Sequence, residues 1–125
     1  MKKTVIETSL FITSAKAAGI SDHLRQFIVE TIADDPMAGD IMKGTGGCRK
    51  VRFAGRGKGK SGGYRTVHYN GADDVPVLMM AVIAKGEKDN LSQAERNELR
   101  KALADYEQEY RKGVAAKVTK LKEGA

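Results

Sequence analysis

The stretch "VPVLMMAVI", Val75 to Ile83, is apolar at every position but Pro76, and it restricts the fold more than any other segment. It is far shorter than the roughly 20 residues a membrane-spanning helix needs. Rich in Val, Ile and Met, and bounded by turn-forming residues, it predicts a strand buried on both faces. Such a strand must lie inside a sheet, with neighbours on both edges and a layer of side chains above and below. The remaining elements have to supply those neighbours and layers.

Thr4 to Ile12 is rich in β-formers and predicts a first strand. Ser21 or Asp22 can cap a helix in which Leu24, Phe27, Ile28, Thr31 and Ile32 form one apolar stripe. Asp34-Asp35-Pro36 ends it. Residues 37 to 47 hold Gly39, Gly44, Gly46 and Gly47 and read as a loop. Val51 and Phe53 alternate with Lys50 and Arg52, the pattern of a half-buried strand with a basic outer face. Gly55 to Gly63 is a turn region. Tyr64 to Tyr69 is the returning strand of a hairpin, closed by Asn70-Gly71. Ser92-Gln93-Ala94-Glu95 is a capping box, and Leu99, Leu103, Tyr106 and Tyr110 then mark a long amphipathic helix. Gly113 is a candidate break, and the basic tail beyond it either extends the helix or frays.

The order is β-α-β-β-β-α, with room for an extra N-terminal helix. It predicts an α+β fold: a small antiparallel sheet packed by helices. One domain over residues 1–112 is expected, followed by the tail at 113–125.

Charge is unevenly placed. Residues 41 to 72 contain no Asp or Glu and eight basic residues: Lys43, Arg49, Lys50, Arg52, Arg56, Lys58, Lys60 and Arg65. The rest of the chain carries 14 basic and 16 acidic residues, so the whole net charge of +6 is owed to this segment. A solvated face mixes signs; a one-signed segment suits a polyanion. Within it, "GRGKGKSGGYR" alternates glycine with Lys and Arg, a permissive backbone carrying phosphate-seeking side chains. Gly55, Gly59, Lys60 and Ser61 miss the spacing of a nucleotide-binding P-loop. Cys48, His23 and His68 lack metal-ligand spacing, and a lone cysteine closes no internal disulfide. No signal-peptide pattern opens the chain, so the cytoplasm is the expected compartment. Nucleic acid is the polyanion that fits best. Arg49, Lys50, Arg52, Arg56, Lys58 and Lys60 would contact phosphates. Tyr64 and Tyr69 either stack on bases or pack within the sheet, and His68 is either a strand histidine or a catalytic one.

"GTGGCRKVRFAGRGKGKSGGYRTVHY", the apolar strand after it, and then "AKGEKDNLSQAERNELRKAL" resemble the RelE/HigB family of toxins from type II toxin–antitoxin systems, most closely its HigB-like branch. The resemblance covers roughly residues 3 to 110. It implies a microbial-RNase-like fold and a ribosome-dependent endoribonuclease that cleaves messenger RNA with no metal or cofactor. It also implies a cognate helix-turn-helix, HigA-like antitoxin that reaches operator DNA together with the toxin, and no membrane association. Carried over, Lys58 and Lys60 match the family's loop basics, Arg65 the arginine of G-G-x-R, and Lys85 the lysine closing the last apolar strand. Arg65 and Lys85 would stabilise charge on the phosphate. Lys58 and Lys60 would grip RNA, one of them also assisting proton transfer. Relatives carry an arginine, tyrosine or histidine just after that strand, where this chain has Gly86, Glu87, Lys88 and Asp89. The acid–base groups are therefore open between Glu87 with Lys85, and His68. Two rival readings are a non-enzymatic ParE-like gyrase poison and a nucleic-acid-binding accessory protein.

Overall fold

The computed structural model describes residues 2–54, 63–83 and 91–123. Its elements are β1 (Val5–Glu7), α1 (Ser9–Ala17), α2 (Asp22–Asp34), β2 (Asp40–Ile41), β3 (Cys48–Phe53), β4 (Tyr64–Tyr69), β5 (Val77–Ile83) and α3 (Gln93–Glu123). The strands form one five-stranded sheet in the order β1-β5-β4-β3-β2. From β2 to β5 all pairings are antiparallel, as the meander required; β1 joins β5 in parallel, through Val5↔Val77 to Glu7↔Met79. The fold is thus α+β with a mixed sheet.

The strand expected over Thr4 to Ile12 is cut short at Glu7, and the extra helix begins at Ser9. Thr8 makes the break. Its hydroxyl accepts from Phe11 N (3.2 Å), capping α1, and donates to Met79 O (2.7 Å) on β5. A hydroxyl serves as donor and acceptor at once. The β1 strand is too short to cover the edge of β5, and α1 takes over: Ser14 Oγ accepts from Val82 N (2.9 Å). An edge that would otherwise offer open pairing groups is closed by side chains.

Strand β5 is interior and covered on both faces, as its composition demands. One layer gathers Phe11, Ala15, Ile28 and Ile32 from α1 and α2 against Phe53, Val77, Met79 and Val82. The other packs Leu103 of α3, with Leu99 and Tyr106 around it, on Cys48, Val67, Tyr69 and Leu78. The register shifts between Val67↔Ala81 and His68↔Met79, leaving Met80 as an extra residue of β5. This bulge resets the alternation, so that Val77, Met79 and Val82 all face the first layer. Phe11, Ile28 and Ile32 are fully buried, each stabilising by about 1.5–3 kcal/mol. Of the stripe on α2, Ile28 and Ile32 are core, but Phe27 is 57% exposed and meets Phe53 only edge-on (6.4 Å between ring centres).

Within the stretch expected to be loop, Asp40 and Ile41 pair with Lys50 and Arg49. Gly39 permits this approach: its φ is +84°, and a Cβ there would lie 2.1 Å from Lys50 O. The capping box of α3 is formed, with Ser92 Oγ accepting from Glu95 N (3.1 Å) and Glu95 Oε1 from Ser92 N (2.9 Å). Helix α3 runs through Gly113 without a break. No described helix is long and apolar enough to cross a membrane.

Candidate nucleic-acid interface

Strands β3 and β4 pair with Arg52 directly opposite Arg65 and Lys50 opposite Val67. Opposed residues share a face, with Cβ atoms about 5 Å apart. Down that face β3 presents Cys48, Lys50 and Arg52, and β4 presents Tyr69, Val67 and Arg65. The apolar members lie under α3; Lys50, Arg52 and Arg65 lie toward the Phe53–Tyr64 end, where the chain passes from β3 to β4. Arg52 is exposed, and Lys50 and Arg65 are half-buried. Together with Asp40 and Val51 they line a cavity of about 170 Å³. Two arginines opposed on adjacent strands repel each other unless negative charge lies near them, and Asp40 lines the same cavity. Guanidinium groups on strands are also better fixed than charges on loops. The arrangement can hold a phosphodiester and balance added negative charge on it.

Asp40 went unnoticed in the sequence because it sits one residue outside the acid-free segment, in a stretch with no strand pattern. Only its pairing with Lys50 brings a carboxylate to the rim of the cationic cavity.

The other expected residues divide. Arg49 is half-buried and structural: its Nη1 donates to Met37 O (3.0 Å) and Gly39 O (3.2 Å), fixing the approach to β2. Tyr64 points to the opposite face, packing against the first core layer and lining a separate cavity of about 760 Å³ with Leu24 and Phe27. Among the described residues that line this larger cavity there is no Lys or Arg. Tyr69, offered as a base-stacking residue, belongs instead to the core. It is buried under α3, and its hydroxyl donates to Glu107 Oε2 (2.6 Å). Burial, and then the Glu107 carboxylate, push the Tyr69 phenol far up.

His68, offered as a catalytic alternative, is likewise placed inside the sheet layer. It is fully buried, on the face opposite Arg65. Its Nε2 lies 2.7 Å from Pro36 O; a carbonyl only accepts, so that nitrogen carries the proton. Nδ1 is buried without a partner. Burial lowers the His68 pKa and Arg49 lowers it further, against the raising effects of the Pro36 carbonyl and Asp35. Arg56, Lys58, Lys60, Lys85 and Glu87 lie outside the described residues.

The loop between β2 and β3 is tied to α3. Arg96 donates from Nε to Leu91 O (3.1 Å) and from Nη1 to Lys43 O. Thr45, fully buried, donates to Met42 O (2.6 Å) and accepts from Cys48 N (3.1 Å). These bonds fix the start of β3, and through it the positions of Lys50 and Arg52. The Cys48 thiol is buried, and burial raises its pKa, which suits packing rather than reaction. Among the described residues no three His, Cys, Asp or Glu side chains gather as a metal centre would require. A family model described as the RelE toxin of the RelE/RelB toxin–antitoxin system matches residues 3–123.

Proposed function

The chain belongs to the RelE toxin family of toxin–antitoxin systems, and on that premise we propose that it is an endoribonuclease cutting messenger RNA on the ribosome without a metal. The observation that carries this reading is the opposed pair Arg52 and Arg65, with Lys50 beside them, around one small cavity on the sheet.

RNA contains its own nucleophile. The ribose 2′-oxygen attacks the adjacent phosphorus, the P–O5′ bond breaks, and a cyclic phosphate and a 5′-hydroxyl result. Three things are needed: alignment, charge balance on the five-coordinate phosphorus, and movement of one proton from the 2′-hydroxyl and one to the 5′-oxygen. Arg65, fixed in the middle strand, supplies charge balance, and its planar fork matches two phosphate oxygens. Arg52 and Lys50 hold the neighbouring backbone. Asp40 is the carboxylate within the cavity able to take the 2′-proton. Lys58 and Lys60 act in RNA grip and Lys85 in charge balance, as the family resemblance implies; Glu87, where the chain departs from its relatives, returns the proton. Expression is controlled with an antitoxin that neutralises the chain, of the helix-turn-helix kind in the HigB-like branch.

Induced alone, the chain arrests bacterial growth, and fragments of messenger RNA accumulate before any DNA-damage response. Arg65→Ala lowers cleavage of a reporter message by about a hundredfold or more, while the variant keeps its fold and still sediments with ribosomes. Intact transcripts alongside a damage response identify a gyrase poison and overturn the proposal. Arg65→Ala that remains fully active removes Arg65 from the site.

A further inference from the structure

Helix α3 outruns the domain it covers. Leu99, Leu103, Tyr106 and Tyr110 form the stripe that faces the sheet and its flank. Arg111 makes a two-pronged pair with Asp74, Nε to Oδ2 at 2.6 Å and Nη2 to Oδ1 at 2.8 Å, and anchors this part of the helix. From Arg111 to Glu123 every residue is exposed. This extension is about 20 Å long at 1.5 Å per residue.

Exposure alone would make it a solvated tail, but its pattern is not that of one. The apolar stripe continues along the same meridian: Val114, Val118 and Leu121 are 45%, 44% and 75% exposed. Seven residues make about two turns and eleven about three, so Val114 and Leu121 fall in line with Leu103. At 3.6 residues per turn, Lys117 and Lys120 flank the stripe on one side and Lys122 on the other. Glu123, the sole acidic residue from 111 to 123, lies on the far face. A narrow apolar seam with charges of one sign along both margins is half of a two-helix interface.

We propose that the α3 extension docks an acidic amphipathic helix of another protein chain, one with apolar residues along its seam and Asp or Glu at its margins. A second copy of this chain does not fit. Parallel or antiparallel, paired extensions bring cations against cations on both margins. An acidic partner turns the same margins into attraction.

The test uses the full chain and two labelled synthetic helical peptides. Both carry leucine at a and d positions; one has glutamate and the other lysine at e and g. The glutamate peptide binds and the lysine peptide does not, by fluorescence anisotropy. Val114→Ser with Leu121→Ser weakens glutamate-peptide binding by about tenfold or more. Lys117→Glu with Lys120→Glu reverses the preference toward the lysine peptide. All four positions are exposed, and unchanged unfolding midpoints verify the folds. Glutamate-peptide binding that ignores the serine changes means attraction to any polyanion and overturns the proposal. So does sedimentation as a dimer that the serine variant dissociates, or binding to polyadenylate or anionic vesicles with the same dependence on Leu121.

Discussion

Replacing His68 with glutamine should uncouple folding stability from pH in a defined window. In the folded chain His68 donates to Pro36 O from Nε2, and its bare Nδ1 is sealed in without a partner. Protonation would place a cation there with no acceptor and with Arg49 nearby, so the folded-state pKa lies below the ordinary histidine value. Unfolded, the same ring titrates near pH 6.5. Above that pH both states are neutral and His68 exacts no penalty. As pH falls below about 6.5 the unfolded chain takes a proton that the folded chain refuses, and stability is lost. The limiting slope is one proton, about 1.4 kcal/mol per pH unit. Glutamine can still donate an N–H toward Pro36 O but does not titrate. Urea unfolding of both proteins between pH 8 and pH 4.5 measures the effect. The carboxylates are common to the two, so the difference between the curves isolates His68. That difference should be flat above pH 7 and change as the pH falls toward 5, by no more than about 1.4 kcal/mol per pH unit. A pH-independent difference refutes the sealed-histidine argument. Equally, loss of message cleavage by a well-folded His68→Gln would return this residue to the catalytic group.

Glu107→Ala removes the acceptor for Tyr69 Oη (2.6 Å) and Ala72 N (3.1 Å), and should cost about 2–4 kcal/mol in urea unfolding, with Glu107→Gln losing less. Gly39→Ala drives a Cβ into Lys50 O and should cost about 2 kcal/mol or more, lowering RNA cleavage together with stability because Lys50 lines the cavity. Asp40→Asn, exposed and on the short β2, should leave unfolding unchanged while cleavage of a reporter message falls by about a hundredfold or more, and full activity removes Asp40 as the base.

The parts of the fold visible in the sequence are those with local causes. The uniform apolar run of β5, the Ile28–Ile32 stripe of α2 and the Ser92–Glu95 capping box each state their structure within a few residues. What the sequence hid depends on distant partners. Thr4 to Ile12 looks like one strand, and only the carbonyl of Met79 explains why Thr8 turns the chain into α1. Asp40 and Ile41 carry no strand signal and pair because Gly39 lets them reach β3. The polar pattern of "YRTVHY" suits an exposed strand, yet β4 is the middle strand, so Thr66, His68 and Tyr69 are buried. The basic segment was plain to see, but the facing of Arg52 and Arg65 follows from hairpin register, which charge counting does not contain.

The parallel pairing of β1 with β5 bears on when the chain becomes active during its own synthesis. Residues 5–7 leave the ribosome early, and their partners at 77–79 follow some seventy residues later. Contacts so far apart along the chain form slowly, since a long loop must close before they are made. The β3–β4 hairpin with Arg52 and Arg65 can pair early, but α1 docks only once β5 is made, and α3 follows β5 in the chain. A nascent chain therefore displays its cations before it owns a rigid sheet to aim them.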